Sequence, residues 1–260
     1  MTDLGLMSYF LGMEIKQGQN ELFICQKKYA KEILKKFYME DCKEISTPMN
    51  QKEKLSKNDG AEKMEETYFR GLAGRLMYLT TTRPDILYVV SILSRFMHCD
   101  SELHLKVAKR VIRYIKGTIN YGVKFQKNPN QKLLGYSDSD WAGSVDGMKS
   151  TSGYCFSLSS KIFLWCTKKK DIVAQSTTEA EFMAAIAAVN QALWLRKIFV
   201  DLHMHQTKGI EVFVNNQFAI VISHNSVFHA KTKHFNIKLF FLRKVQKIGD
   251  VILLYCKIEV

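Results

Sequence analysis

The chain reads as an α/β protein in which a mixed sheet with flanking helices forms the C-terminal half, preceded by a mainly helical half that carries a β-hairpin. Three observations carry that expectation. The segment LLGYSDSDWAG, from Leu133 to Gly143, places two carboxylates at the end of an apolar strand pattern. Further along, STTEAEF opens an alanine-rich helix, and VFVNNQFAI then ends a second strand at Asn215. Strand, helix, strand demands a crossover; if the two strands are parallel, their carboxyl ends meet on one edge of the sheet, the usual ligand side of open α/β folds.

Tyr9 to Ile15 and Glu21 to Cys25 are β-rich runs joined by KQGQN, which suits a hairpin. A helix follows, with Tyr29, Ile33, Leu34 and Phe37 on one face and lysines largely elsewhere. Ser46, Thr47 and Pro48 break regular structure, and the almost wholly polar stretch from Asn50 to Glu66 predicts a mobile loop. Helical patterns then cover Tyr68 to Leu79, Pro84 to Phe96 with proline in the first turn, and Glu102 to Lys116, ended by Gly117. In the last of these, Ala108, Val111, Ile112 and Ile115 form an apolar stripe while Lys106, Lys109, Arg110, Arg113 and Lys116 crowd the remainder with few balancing acids. Such a charge run is either a solvated face or a surface that tracks phosphates. A short strand, Tyr121 to Phe125, leads to the turn-rich QKNPNQ, which sets a boundary between residues 1–127 and 132–260.

The second half starts with strands: Leu133 to Asp138, Gly153 to Leu158 and Ile162 to Cys166 read as an antiparallel meander. A long helix runs from Thr177 to about Phe199. A strand, Ile210 to Val214, is followed by a short helix near Asn216, a helix from Phe235 to Ile248 and a strand from Val251 to Cys256.

Composition bounds the function. Hydrophobic residues make up 47% of the 260, enough for a globular core, and a formal charge of +13 favours polyanions, nucleic acid before others. The six cysteines show no CxxC pair and no Cys/His spacing, so neither a zinc site nor a disulfide framework is expected; buried thiols in a reducing intracellular compartment, cytoplasmic or nuclear, fit better. The start MTDLGLMSYF lacks the features of a signal peptide, and no stretch reads as a bilayer span.

Asp138 and Asp140 stand two apart on an extended segment and can share a face. Ser176 and Glu179 match the capping box, giving Glu179 a structural task. Glu181 lies near the stripe of Ala180, Ala184, Ala187 and Ala188. A carboxylate there needs a partner, either a divalent cation shared with Asp138 or a lysine.

These residues carry a resemblance. Residues 132–260 resemble the ribonuclease H domain that ends the polyprotein of copia-type retrotransposons, through LLGYSDSDWAG, KSTSGYCFSL, STTEAEF, ALWLRKI, NNQFAI and VFHAKTKHFNIKLFFLRK. Residues 1–127 resemble the thumb-side, C-terminal part of the adjoining reverse transcriptase, through DLGLMSYFLGMEI, ELFICQKKYAKEILKKF, STPM, YFRGLAGRLMYLTTTRPDILYVVSILSRFM and RVIRYIKGT.

The resemblance implies a ribonuclease H-like fold in which acidic residues hold two Mg²⁺ (or Mn²⁺) ions and cut the RNA of an RNA:DNA hybrid. Carried over by position, the metal-binding and catalytic acids are Asp138 and Glu181, while the second catalytic aspartate falls at Asn215; a fourth acid is expected in a segment after the last strand, which this chain does not include. Asn215 offers a neutral oxygen at most, so the resemblance implies an impaired nuclease site. Met148 and Asn236 also depart from the family pattern. Lys231, Lys233 and His234 fit a basic loop near the substrate, though His234 also reads as a plain surface residue. The chain contains no YxDD, so the resemblance places polymerase chemistry in other segments of a longer polyprotein. Nucleic acid is the implied partner, with no membrane and no small-molecule substrate. A binding module that does not cut, and a translated fragment without function, are the alternatives.

Overall fold

The computed structural model describes residues 5–50, 53–63, 66–128, 132–159, 161–224 and 233–257. The chain divides into two units, Met1–Lys127 and Asn128–Val260.

The first unit has a four-stranded antiparallel sheet in the order β1 (Tyr9–Phe10), β2 (Met13–Gln17), β3 (Glu21–Cys25), β4 (Gly122–Gln126). The expected single strand from Tyr9 to Ile15 is therefore two. Leu11 and Gly12 take φ of 46° and 77°, the left-handed pair that reverses a tight hairpin. A Cβ on Gly12 would lie 1.9 Å from the Tyr78 hydroxyl, which donates to the Leu11 carbonyl. The short strand expected near Tyr121 becomes β4 and pairs along all of β3, so the unit's last residues are tied to its first.

Four helical stretches pack on one core: α1 (Lys27–Lys36), α2 (Glu66–Leu79), α3 (Leu87–Leu93) between short 3-10 turns, and α4 (Glu102–Gly117). Ile33, Phe69, Leu72, Leu76, Leu93, Ile112 and Ile115 are fully buried, and the predicted α4 stripe faces inward. Described residues of the polar stretch before α2 are tied to the rest of the unit. Leu55 enters the core, the Glu102 N–H donates to the Glu62 carbonyl at 3.0 Å, and the Ser101 hydroxyl donates to Asp59. Ser101 caps α4 with His104 completing a capping box, a role usually taken by Glu or Gln. Burial of His104 fixes this arrangement.

The second unit is a five-stranded mixed sheet with the order β7 (Lys161–Lys169), β6 (Thr151–Leu158), β5 (Leu133–Ser139), β8 (Ile210–Val214), β9 (Val251–Tyr255). β5, β6 and β7 form the predicted antiparallel meander, and β5, β8 and β9 run parallel. The helices α5 (Thr177–Asp201), α6 (Gln217–His224) and α7 (Lys233–Ile248) supply the crossovers. This strand order, with one long helix between the meander and the second parallel strand, is the ribonuclease H-like arrangement. Phe156, Ala188, Val189, Val212, Leu242 and Val251 form its centre.

Two composition-based expectations change. α5 is long and apolar enough to cross a membrane by length and hydropathy alone. In this fold its alanine, Phe182 and Val189 faces are buried against the unit's core instead, which explains the apolarity. All six cysteines are free, but Cys25 alone is fully buried and Cys256 is exposed, because most lie on β-strand faces or loops that the core does not cover.

Candidate active site and nucleic-acid surface

The parallel register of β5 and β8 builds the site. Ser137 pairs with Val214, so the next residues, Asp138 and Asn215, emerge side by side at the strands' carboxyl ends. The Asn215 Nδ2 donates to Asp138 Oδ1 at 2.9 Å. Glu181 reaches the same point from the second turn of α5 and is buried, whereas Asp138 opens to solvent. The three residues carried over by position therefore meet.

The loops around them are pinned. Asp140 lies past the end of β5 and its Oδ1 accepts from the Thr151 N–H at 2.6 Å, so its carboxylate anchors the following loop to β6. A Cβ on Gly143 would lie 2.3 Å from Asp140 Oδ2, so a larger residue there would have to displace the carboxylate that accepts from Thr151. The Trp141 indole donates to the Ala174 carbonyl at 3.1 Å, joining this loop to the approach of α5. Ser176 caps α5 by accepting from the Glu179 N–H, and the Glu179 carboxylate accepts from the Gln175 N–H at 2.8 Å, one residue earlier than the usual capping box. Glu179 is thus a cap, and Glu181 remains for the site. Asn216, where the sequence predicts the short helix to begin, caps α6 by accepting from the Ala219 N–H at 3.0 Å.

Burial is the main influence on Glu181, followed by the nearby Asp138 charge; together they push its carboxyl from 4.5 up to about 7, against the opposing pull of the Ser139 N–H and the Asn215 amide. Glu181 Oε2 and Asn215 Oδ1 are both buried without a hydrogen-bond partner. An acid whose pKa rises on folding stabilises the fold below its unfolded value and loses that contribution as pH climbs to its folded value. Glu181→Gln should therefore leave stability at pH 4 nearly unchanged but raise it at pH 8 by about 2–3 kcal/mol. Urea titrations at the two pH values check this; an equal change at both would show that ionisation is not the cause.

Among the described residues no cluster of three His, Cys, Asp or Glu side chains could hold a metal ion. Asp138 and Glu181 are the two carboxylates present, and the third position offers an amide.

The basic face of α4 is partly redirected. Arg110 donates to the Thr47 hydroxyl at 2.8 Å, Arg113 to the Lys43 carbonyl at 2.7 Å, and Lys116 to the Cys42 carbonyl at 2.8 Å. These three cations hold the segment that Ser46, Thr47 and Pro48 interrupt, a long-range role that helix periodicity does not reveal. Lys106 and Lys109 remain exposed. The face borders a cleft of about 640 Å³ that Glu102 of its own first turn and Glu53 and Glu62 of the preceding stretch also line, so the scarcity of acids along the helix is partly offset from outside it. Lys231 lies outside the described residues; Lys233 and His234 open α7, and of these two only the backbone is described.

Comparison with known proteins agrees with this architecture. Residues 1–51 match the family model described as reverse transcriptase (RNA-dependent DNA polymerase). The chain is 36% identical over 243 residues to the retrovirus-related Pol polyprotein from transposon RE1 of Arabidopsis thaliana, covering 94% of this chain and 17% of that protein. An uncharacterized mitochondrial protein of the same plant, AtMg00810, is 40% identical over 194 residues, 75% of this chain and 80% of that protein. Among solved structures, the foamy viral protease-reverse transcriptase dRH in complex with double-stranded DNA is similar in fold, with 10% identity, a TM-score of 0.50, and 96% of this chain and 38% of that chain covered. The chain spans less than a fifth of the length of these Pol polyproteins, 17% for RE1 and 19% for that of the Nicotiana tabacum transposon TNT 1-94. With a reverse transcriptase match at one end and a ribonuclease H-like sheet at the other, the chain belongs to the Pol polyprotein family of copia-type retrotransposons.

Proposed function

We propose that this chain grips a nucleic-acid duplex, an RNA:DNA hybrid first, through a ribonuclease H-like unit whose cleavage site is impaired. The observation behind this reading is the Asn215 amide, which donates to Asp138 at the point where a second aspartate would supply charge. Mg²⁺ and Mn²⁺ favour oxygen ligands with formal charge. Two carboxylates, one of them drawn toward its protonated form near neutral pH, do not fit the two-ion arrangement. The site keeps its acceptor geometry, with two orphaned buried oxygens, but lacks the charge to hold both ions.

Binding rests on other features. The net charge of +13 draws polyanions, and the exposure of Lys106 and Lys109 on α4 supports phosphate contact there. Six free cysteines suit a reducing compartment, cytoplasm or nucleus.

A fluorescent hybrid titrated with the protein at several salt concentrations tests both parts. The expected outcome is an affinity that falls steeply with salt, and intact RNA after incubation with Mg²⁺ or Mn²⁺. Robust cleavage that disappears in Asp138→Asn overturns the impaired site, and an absence of binding at low salt overturns the grip.

A further inference from the structure

Two lysines converge on one residue of α5 without a matching acid. Lys170, just past β7, donates to the Met183 carbonyl at 3.4 Å, and Lys238 of α7 points its ammonium at the Met183 sulfur, 3.5 Å away. A thioether is a weak acceptor, and a helix carbonyl already engaged in its own ladder is little better. No salt bridge among the described residues involves either lysine. Burial holds the ammonium of Lys170 below the usual lysine range, and the charges of Lys238 and Lys168 lower it further, with Asp171 and the Cys166 thiol offsetting only part. Burial depresses Lys238 likewise.

Half-buried cations that repel each other are costly, and a fold keeps such a pair most readily where an anion completes it. We propose that Lys170 and Lys238 form a phosphate-binding site on the flank of α5, which takes a backbone phosphate of a bound nucleic-acid strand. The site lies two residues along α5 from Glu181, and α7 brings Lys238 to it one turn after His234. Its anion chemistry stands on the lysine geometry; the strand as source of the phosphate rests on the nucleic-acid reading above.

The test follows the side-chain ¹³Cε signals of lysine in the intact chain, assigned with Lys170→Met and Lys238→Met. Inorganic phosphate is titrated against a chloride control of equal ionic strength, and a short RNA:DNA hybrid in a second arm. Saturable movement of both signals with phosphate and with hybrid is the expected result, together with a salt dependence of hybrid binding that the double variant lessens by about one unit of log–log slope. Because removing an unpaired buried ammonium relieves desolvation, each methionine variant should melt no lower than the parent chain. Signals that move with phosphate while no hybrid binds would uphold the anion site and overturn the strand as its ligand. Signals that follow the chloride control in both arms would overturn the site, even if the hybrid binds elsewhere.

Discussion

Replacing Arg83 with methionine should cost the first unit about 2–3 kcal/mol, the loss expected when a buried guanidinium is removed and the Thr118 carbonyl it serves is left unpaired. Arg83 is 2% exposed and precedes the proline that starts the 3-10 turn before α3. Its guanidinium grips Asp85 with two nitrogens, at 2.9 and 2.7 Å, and its remaining donors reach the Thr118 carbonyl and hydroxyl at 3.0 and 2.6 Å. The rings of Tyr114 and Tyr121 lie 5.6 and 5.3 Å from it. One side chain thus ties the turn after α2 to the end of α4 and the entry to β4. Lysine cannot replace that fork, so Arg83→Lys should recover little of the loss. Hydrogen exchange at α4 amides is the suitable measurement, since the three tryptophans all lie in the other unit. Protection unchanged in both variants would remove Arg83 from its assigned role.

Asn215→Asp should have the largest effect on the candidate site. A third carboxylate beside Asp138 and Glu181 supplies the charge the amide lacks, and divalent-cation affinity should rise on the order of 10–100-fold. Without cation the same change adds repulsion, so the Glu181 carboxyl should climb above about 7 and the apo protein should lose stability at neutral pH. Added Mn²⁺ should then restore the melting temperature of this variant and barely move that of the parent. Calorimetric titration reads the affinity, and hybrid cleavage gained in the variant alone would support the proposal that the Asn215 amide impairs the site. Cation affinity equal in the two proteins would overturn the role proposed for the amide.

Much of the second unit was legible because its elements announce themselves locally. Alternating β-rich runs gave the meander, and the alanine-rich helix between two strand patterns required the crossover that brings Asp138 and Asn215 together. The first unit was less legible where distant segments decide. Leu11 and Gly12 look like strand residues until Tyr78 is seen to bond across them. The polar loop gives little local sign of its anchors, because Leu55 joins the unit's core and Asp59 accepts from Ser101, the distant cap of α4. Arg110, Arg113 and Lys116 looked like a free cationic face because the backbone they hold is far away in sequence.

The sequence by itself determined the order of elements and pointed to a division near Lys127 and to Asp138, Glu181 and Asn215 as one candidate site, since periodicity, turn residues and residue types are local properties. Tertiary structure alone decided what those residues do to one another. It turned the Asn215 amide onto Asp138, buried Glu181 deeply enough to draw its carboxyl toward neutrality, and set Lys170 and Lys238 on one methionine. Hydrogen-bond direction and desolvation depend on which groups surround an atom in space, and spacing along the chain does not contain that information.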